Sequence, residues 1–418
     1  MKKILLAGAS VAALLSGAAA VAAPGNNQSI VTQTGANATA TVLQGGTDST
    51  SDITQGGNGN DATVNQNGSI AGGKSTIDQT GSDNDATVTQ ADDGSDVLDV
   101  APPINTSSIS QSGSGNDATV SQTTTTQSGP TTSLIDQSGG DNDAIVTQVD
   151  DYQDSSINQG SSDNTASVSQ GDPLLVPIDG SYGNDSSITQ GGLIGGNTAT
   201  VTQGGIFGSS FIDQSGGTNE ATVAQRGGSN TSTVLQGGDV NTAAVDQTGD
   251  NDSLVLQAGA NGLALVNQYG NGNAAHVDQI ADQAESNIHQ GATFDGTTVS
   301  LAEGSNGNAA NVDQLAGADN SRSDIFQAGD LNLANTVQSA SNSLSDVRQN
   351  GLGNTSLVNQ ESGSDHEASV EQYADNNLSS VIQNGTGNTA TVGQYSNANV
   401  STINQGGSGN TATVTQGN

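Results

Sequence analysis

Hydrophobic and polar positions alternate along this chain in short runs that end in glutamine. Residues Ser51–Gln66 read SDITQGGNGNDATVNQ: two such runs, S-x-I-x-Q and N-x-A-x-V-x-Q, separated by Gly and Asn. Period-two alternation puts one set of side chains on one face of a β-strand. Ser51, Ile53 and Gln55 then share a face, as do Asn60, Ala62, Val64 and Gln66, while Asp52, Thr54, Asp61, Thr63 and Asn65 point outward. The pattern [IV]-x-Q recurs from Gln33 to Gln416, usually 11 residues apart. With two degenerate copies, ending at Leu301 and Gln338, it predicts 33 strands. Up to Gln268 the strands mostly alternate, with Ser four residues before one Gln and Ala four before the next. Two strands therefore make a unit of about 22 residues. Beyond Gln268 the order slips, and Ala275 and Ala368 stand where alternation puts Ser.

Turns punctuate the strands. Gly follows many of the glutamines by two residues, at Gly57, Gly81, Gly113, Gly139, Gly249, Gly351 and Gly407, where a tight reversal calls for positive φ. Longer insertions follow Gln90, Gln122, Gln170 and Gln290, and they hold Pro102, Pro103, Pro130, Pro173 and Pro177. Proline cannot donate to a strand ladder, so its confinement there marks the insertions as surface loops. A strand-turn-strand unit cannot bury its thin apolar face alone, but stacked units can. The expected fold is all-β: a parallel β-solenoid of about 16 two-strand units over residues 29–418, with two facing sheets and four surface loop insertions. Inward amides would then bond the equivalent amide one level away, because an unpaired buried amide costs roughly 1–3 kcal/mol. The ladder set is Ser51, Gln55, Gly57, Asn60, Ala62, Gln66, Gln79, Asn84, Gln90, Gln111, Asn116, Gln122, Gln137, Asn142 and Gln148.

Composition narrows the class further. The 418 residues include 57 Gly, nine aromatics and no Cys, with 42 acids against six bases. Large apolar side chains are too few for an ordinary globular core, which leaves disorder or a narrow-cored solenoid, and the alternation selects the solenoid. Residues 1–22 have the features of a secretory signal peptide: Lys2 and Lys3, an apolar run from Ile4, and Ala20-Val21-Ala22 as a cleavage site. Residues 23–28 form a short segment before the repeats, and no later stretch is apolar enough to span a membrane as a helix. Without the signal only Lys74, Arg226, Arg322 and Arg348 oppose the acids, which argues against nucleic-acid or anionic-lipid partners. An exported chain without disulfides must rely on backbone pairing and side-chain ladders.

These residues resemble the curlin repeat of bacterial curli, whose units read S-x5-Q-x-G-x2-N-x-A-x3-Q. Gln55, Gly57, Asn60, Ala62 and Gln66 match it, as do Gln79, Gly81, Asn84, Ala86 and Gln90, and Gln111, Gly113, Asn116, Ala118 and Gln122. Ser51 lies four residues before Gln55 rather than six, a departure in spacing. The resemblance implies an extracellular functional amyloid subunit that is exported unfolded through an outer-membrane secretion pore. It also implies polymerisation on a nucleator subunit into adhesive, pilus-like biofilm fibres that hold abiotic or cell surfaces. Independently of the family, Ser29 opens the first strand soon after the signal and the last strand stops at Gln416. Both ends are expected to present unpaired backbone groups, a template for another copy.

Other chemistries compete less well. Stacked outward acids such as Asp61, Asp85, Asp117 and Asp143 invite calcium. However, Gly56-Gly57-Asn58-Gly59-Asn60-Asp61 carries Thr63 where the calcium nonapeptide needs an apolar residue, and the period is 11. The acids read better as a solubilising face that slows association. Outward Thr pairs, Thr87 with Thr89, Thr200 with Thr202 and Thr413 with Thr415, resemble ice-binding solenoids, but the rungs between break the array. A monomeric secreted adhesin is the other alternative. Catalysis is not expected: His276 and His289 sit outward without an obvious partner. His366 takes the inward Asn position. Tyr269, Tyr373 and Tyr395, which directly follow ladder glutamines, read as turn packing. The sequence holds no cofactor motif.

Overall fold

A computed structural model describes residues 2–7, 13–15, 18–22, 25–45, 47–67, 72–92, 105–124, 129–171, 183–294, 299–301 and 306–417. They divide into two compact units, Met1–Gly217 and Thr218–Asn418. Most residues of the insertions after Gln90 and Gln170 lie outside the described residues, with Pro102, Pro103, Pro173 and Pro177.

Each unit is an all-β parallel solenoid. In Met1–Gly217 one sheet runs from Gln28–Gln33 to Ser209–Gln214 and the facing sheet from Thr39–Gln44 to Thr198–Gln203. Each strand pairs in parallel with the second strand after it, so that Ser51 lies beside Ser75, Ile53 beside Ile77 and Gln55 beside Gln79. Lys2–Ala7 lies antiparallel along Gln28–Gln33, and Ala18–Ala22 parallel along Thr39–Gln44. In Thr218–Asn418 one sheet runs from Thr231–Gln236 to Val400–Ser408 and the other from Glu220–Arg226 to Thr411–Gln416. The degenerate copy ending at Gln338 is a rung, paired between Ala309–Gln314 and Thr355–Ser364.

Alternation in sequence becomes alternation in burial. Ala62, Val64 and Gln66 are buried in Asp61–Asn67, while Asp61, Thr63 and Asn65 are not. Ile53, Ile77, Ile109, Ile135, Ile157, Ile188 and Ile212 are fully buried and successive in register, a column of methyl groups along one sheet. Each such side chain contributes about 1.5–3 kcal/mol. Repetition of this thin column replaces the large core that the composition forbids.

The structure supplies a physical account of the slip in alternation. In each rung one sheet offers Ser and the other Ala, and both are small enough to let the sheets approach. After Ser253 and Ala264 the two exchange sheets. Ala275, Ala310 and Ala334 stack on one side, and Ser286, Ser323 and Ser345 on the other. They exchange back at Ser356 and Ala368. Every rung keeps one of each, so the inter-sheet volume is unchanged. The exchange also accommodates Thr336, which replaces the usual Val or Ile. Its hydroxyl lies 3.2 Å from that of Ser345 on the other sheet, buried with it.

Two expectations are corrected. The copy ending at Leu301 is not a rung: Val299–Leu301 pairs antiparallel with Ala292–Phe294, and Glu285–Gln290 pairs directly with Arg322–Ala328. That copy carries Leu301 in place of the glutamine that would have continued the amide ladder. Positive φ explains Gly57, Gly249, Gly351 and Gly407 but not Gly81, Gly113 or Gly139, which have none. The left-handed residue falls two positions later, at Asp83, Gly115 and Asp141. At Gly81, Gly113 and Gly139 a Cβ would stand 1.5, 1.5 and 2.0 Å from the carbonyl oxygen of the next turn. Close stacking of turns, not φ, requires glycine there.

Candidate functional site

Within each unit the strands place inward glutamines above their counterparts, and the amides join into files. Gln55 Nε2 donates to Gln79 Oε1 at 2.8 Å, Gln79 to Gln111 at 2.8 Å, Gln111 to Gln137 at 2.9 Å and Gln137 to Gln159 at 2.8 Å. On the facing sheet Gln66, Gln90, Gln122 and Gln148 repeat this at 2.9–3.0 Å, Gln148 donating to Gln170 at 2.8 Å. Each amide also ties the strand to the turn. Gln55 Nε2 reaches the carbonyls of Asn60 at 3.0 Å and Thr39 at 2.9 Å. An amide is needed because only it offers N–H groups and a carbonyl oxygen at once.

A second file runs through the turns. Asn60, Asn84 and Asn116 each accept the backbone N–H of the next rung's Asn, with Asn142 last of the four, at 3.0–3.1 Å. Asn60, Asn84 and Asn116 donate through Nδ2 to the carbonyls of Gly81, Gly113 and Gly139 at 3.0–3.1 Å. Ser51 hydrogen-bonds Ser29 through its hydroxyl at 3.3 Å, and Ala62 fills the matching position opposite. Gly57 lets the next turn approach, since a Cβ there would lie 1.8 Å from Gly81 O. The serine column is the weaker one: the buried hydroxyls of Ser75, Ser107 and Ser133 have no hydrogen-bond partner.

His366 stands in the asparagine position and is 1% exposed. Its Nε2 lies 2.9 Å from Ser362 O, and Asn388 N–H donates to its Nδ1 at 3.4 Å. With the proton on Nε2 the ring reproduces both asparagine bonds, so the residue is structural.

The outward surface of Thr218–Asn418 carries a constellation that the sequence reading missed. His289 stacks on Phe326 with ring centres 4.9 Å apart, and its Nδ1 lies 3.0 Å from Asn267 Nδ2. Arg348 sits 6.0 Å over the Phe326 ring and pairs with Asp346 at 2.6 Å and Glu371 at 3.7 Å. Arg322 binds Asp324 at 2.9 Å. Tyr373 and Tyr395 stack at 5.8 Å, Tyr395 donates to Glu371, and Tyr269 donates to Asp246. His289 therefore does have partners, and Tyr269 and Tyr395 reach acids on neighbouring strands while Tyr373 packs on Tyr395. Apart from Arg348 with Asp346 and Arg322 with Asp324, which share a strand, these partners are 22 to 37 positions apart in sequence, but writing the chain in rungs aligned on glutamine brings them together.

Charge bears on stability with a definite sign. Asp61, Asp85, Asp117 and Asp143 are successive register partners. Burial, then the neighbouring acids, raises Asp85 and Asp143 above the ordinary carboxylate value; burial also raises Asp154, Asp213 and Asp278. Burial pushes Asp346 up to about 6, against the pull of Arg348. A raised folded value means that the folded chain binds protons more readily than the unfolded chain. These groups cost stability at neutral pH, and the cost is relieved as pH falls through about 6 toward 4. His289, lowered by burial, acts oppositely below about pH 6.5 but is one group against six. The urea midpoint of the soluble monomer is expected to rise between pH 7 and 4.5. A midpoint that drops steadily across that interval contradicts the assignment.

The curlin associated repeat model matches residues 209–236, 216–249, 342–373, 368–395 and 388–417. No curated protein matches the chain. The matched segments hold the same inward glutamines, Gln225, Gln236, Gln247, Gln349, Gln360, Gln372, Gln383, Gln394, Gln405 and Gln416, that carry the ladder. Residues 209–249 and 342–417 thus carry curlin associated repeats.

Proposed function

We propose that this chain is the structural subunit of extracellular, curli-like amyloid fibres, self-assembling end to end for surface adhesion and biofilm matrix. Residues 1–22 serve as the export signal, residues 29–418 as the polymerising repeat region. The partners are further copies of the chain, an outer-membrane secretion pore, a nucleator subunit and the surface to be colonised.

One observation carries the reading. Within each unit the ladder glutamines donate in register to the next rung, as Gln360 does to Gln383 and Gln383 to Gln405 on one sheet and Gln372 to Gln394 and Gln394 to Gln416 on the other, so that each rung is a template for the next. In Thr411–Gln416 the inward Ala412, Val414 and Gln416 are half-exposed, unlike their counterparts in preceding rungs. Another copy supplying Ala, Val and Gln in the same register would extend the ladder and bury those side chains.

The test starts from residues 23–418 released from denaturant at micromolar concentration. Thioflavin T fluorescence is expected to rise after a lag that preformed seeds shorten, with fibre reflections near 4.7 and 10 Å. A persistently soluble monomer with β circular dichroism overturns the reading and favours a monomeric adhesin; thermal hysteresis in that sample would indicate ice binding.

A further inference from the structure

In a chain with 42 acids, one patch on the unit Thr218–Asn418 carries no charge. Four consecutive strands of one sheet are Leu333–Gln338, Thr355–Ser364, Leu378–Thr386 and Val400–Ser408. Their twelve outward positions, up to the glutamine of each, hold only Leu, Val, Ile, Thr, Ser and Asn. Leu333, Leu357, Leu378 and Val400 are 45%, 37%, 43% and 61% exposed, with Val337 and Ile382 beside them half-buried. Charge returns at the borders, with Asp313 on the preceding strand and Glu361 just past Gln360. The facing sheet of the same rungs instead turns Asp346, Arg348, Glu367 and Glu371 outward.

We propose that this uncharged face packs against the same face of a second copy, so that fibres of the chain pair laterally. The proposal rests on the polymer reading above. Flat sheet faces pack about 10 Å apart when their side chains are apolar and small polar. Two copies of a chain with net charge −36 meet most readily where no carboxylates are opposed. A twofold axis brings the patch onto itself, giving an interface that closes at two partners.

Area decides when pairing occurs. Four strands at about 4.8 Å spacing and six residues at about 3.3 Å give roughly 400 Å² per partner. A stable complex needs about 800 Å² per partner, so free subunits do not hold one another by this face. A fibre presents the patch once per subunit on both partners, and the contacts then act together. Lateral pairing therefore follows polymerisation.

The experiment compares the wild type, the double variant L357E/I382E, and L134E, which alters an equally exposed leucine elsewhere (43%). Thioflavin T kinetics report polymerisation; electron-microscopic fibre width and low-speed sedimentation report pairing. All three are expected to polymerise within about twofold of one rate. Wild type and L134E should form paired fibres, and L357E/I382E single ones, with its sedimenting fraction reduced at least about fivefold. Paired L357E/I382E fibres, single wild-type fibres, or loss of pairing in L134E overturns the proposal while leaving the polymer reading intact. Absence of fibres from every variant overturns the polymer reading and this inference with it.

Discussion

Gln137→Glu is expected to destabilise the soluble chain by about 3–5 kcal/mol at pH 7, although it replaces one oxygen-sized group by another. Gln137 Nε2 donates to Gln159 Oε1 at 2.8 Å and to the carbonyls of Asp117 at 3.0 Å and Asn142 at 3.2 Å. A carboxylate there would set its oxygen against three acceptors, keeping only the bond from Gln111. Gln137 is fully buried, so water cannot replace what is lost. Protonation restores one donor, and burial raises the pKa of an unpaired carboxyl. Part of the loss should therefore return near pH 4.5. Urea unfolding at both pH values gives the total. Hydrogen exchange in Thr132–Gln137 and Asp154–Gln159 locates it, because stability in stacked repeats is not uniform along the array. A variant within about 1 kcal/mol of the parent at both pH values would mean that the amide file does not hold the rungs.

Gly113→Ala should be comparably severe for a different reason. The new methyl would lie 1.5 Å from Gly139 O and 2.6 Å from Gly139 C, both backbone atoms, so no side-chain movement relieves it. The turn must lift from its neighbour, losing the Asn116 Nδ2 bond to Gly139 O and straining the bond from Asn142 N–H to Asn116 Oδ1. A cost of about 3 kcal/mol or more is expected. Gly191→Ala is the opposite case: nothing lies within 4 Å of its Cβ position, and its φ is not positive. It should stabilise by about 0.5 kcal/mol by restricting the unfolded chain. Equal effects of the two substitutions on the urea midpoint would show that turn stacking is not what selects glycine.

The parallel solenoid was legible in the sequence because a single physical rule, period-two alternation, was repeated with glutamine as its marker. Inward positions such as Ile53 and Gln55 are set by their own strand, so local pattern sufficed. The rest depended on which strand lies beside which. The spacing of Gly81 and Gly113 after glutamine was visible, but not that the next turn's carbonyl occupies the Cβ position. His289 and Phe326 stack across 37 residues because the insertion after Gln290 contributes no rung. The Leu301 copy has a strand's alternation but no amide to join the file, and alternation alone did not weigh that loss. The slip at Ala275 was visible as an irregularity and became interpretable only when Ser286 was found on the facing sheet.

That exchange gives a repetitive chain an address. In a perfectly periodic array a shift by one rung leaves every inward residue on a like partner, and register is then weakly specified. Here Ala275, Ala310 and Ala334 sit opposite Ser286, Ser323 and Ser345, bounded on each side by rungs of the reverse arrangement. A slip by one rung toward the C-terminus would set Thr336 against Ala368 and leave its hydroxyl without the Ser345 partner. A strand strayed in from another molecule meets the same mismatch. The three inverted rungs thus act as an index mark, letting the chain count its own repeats as it folds.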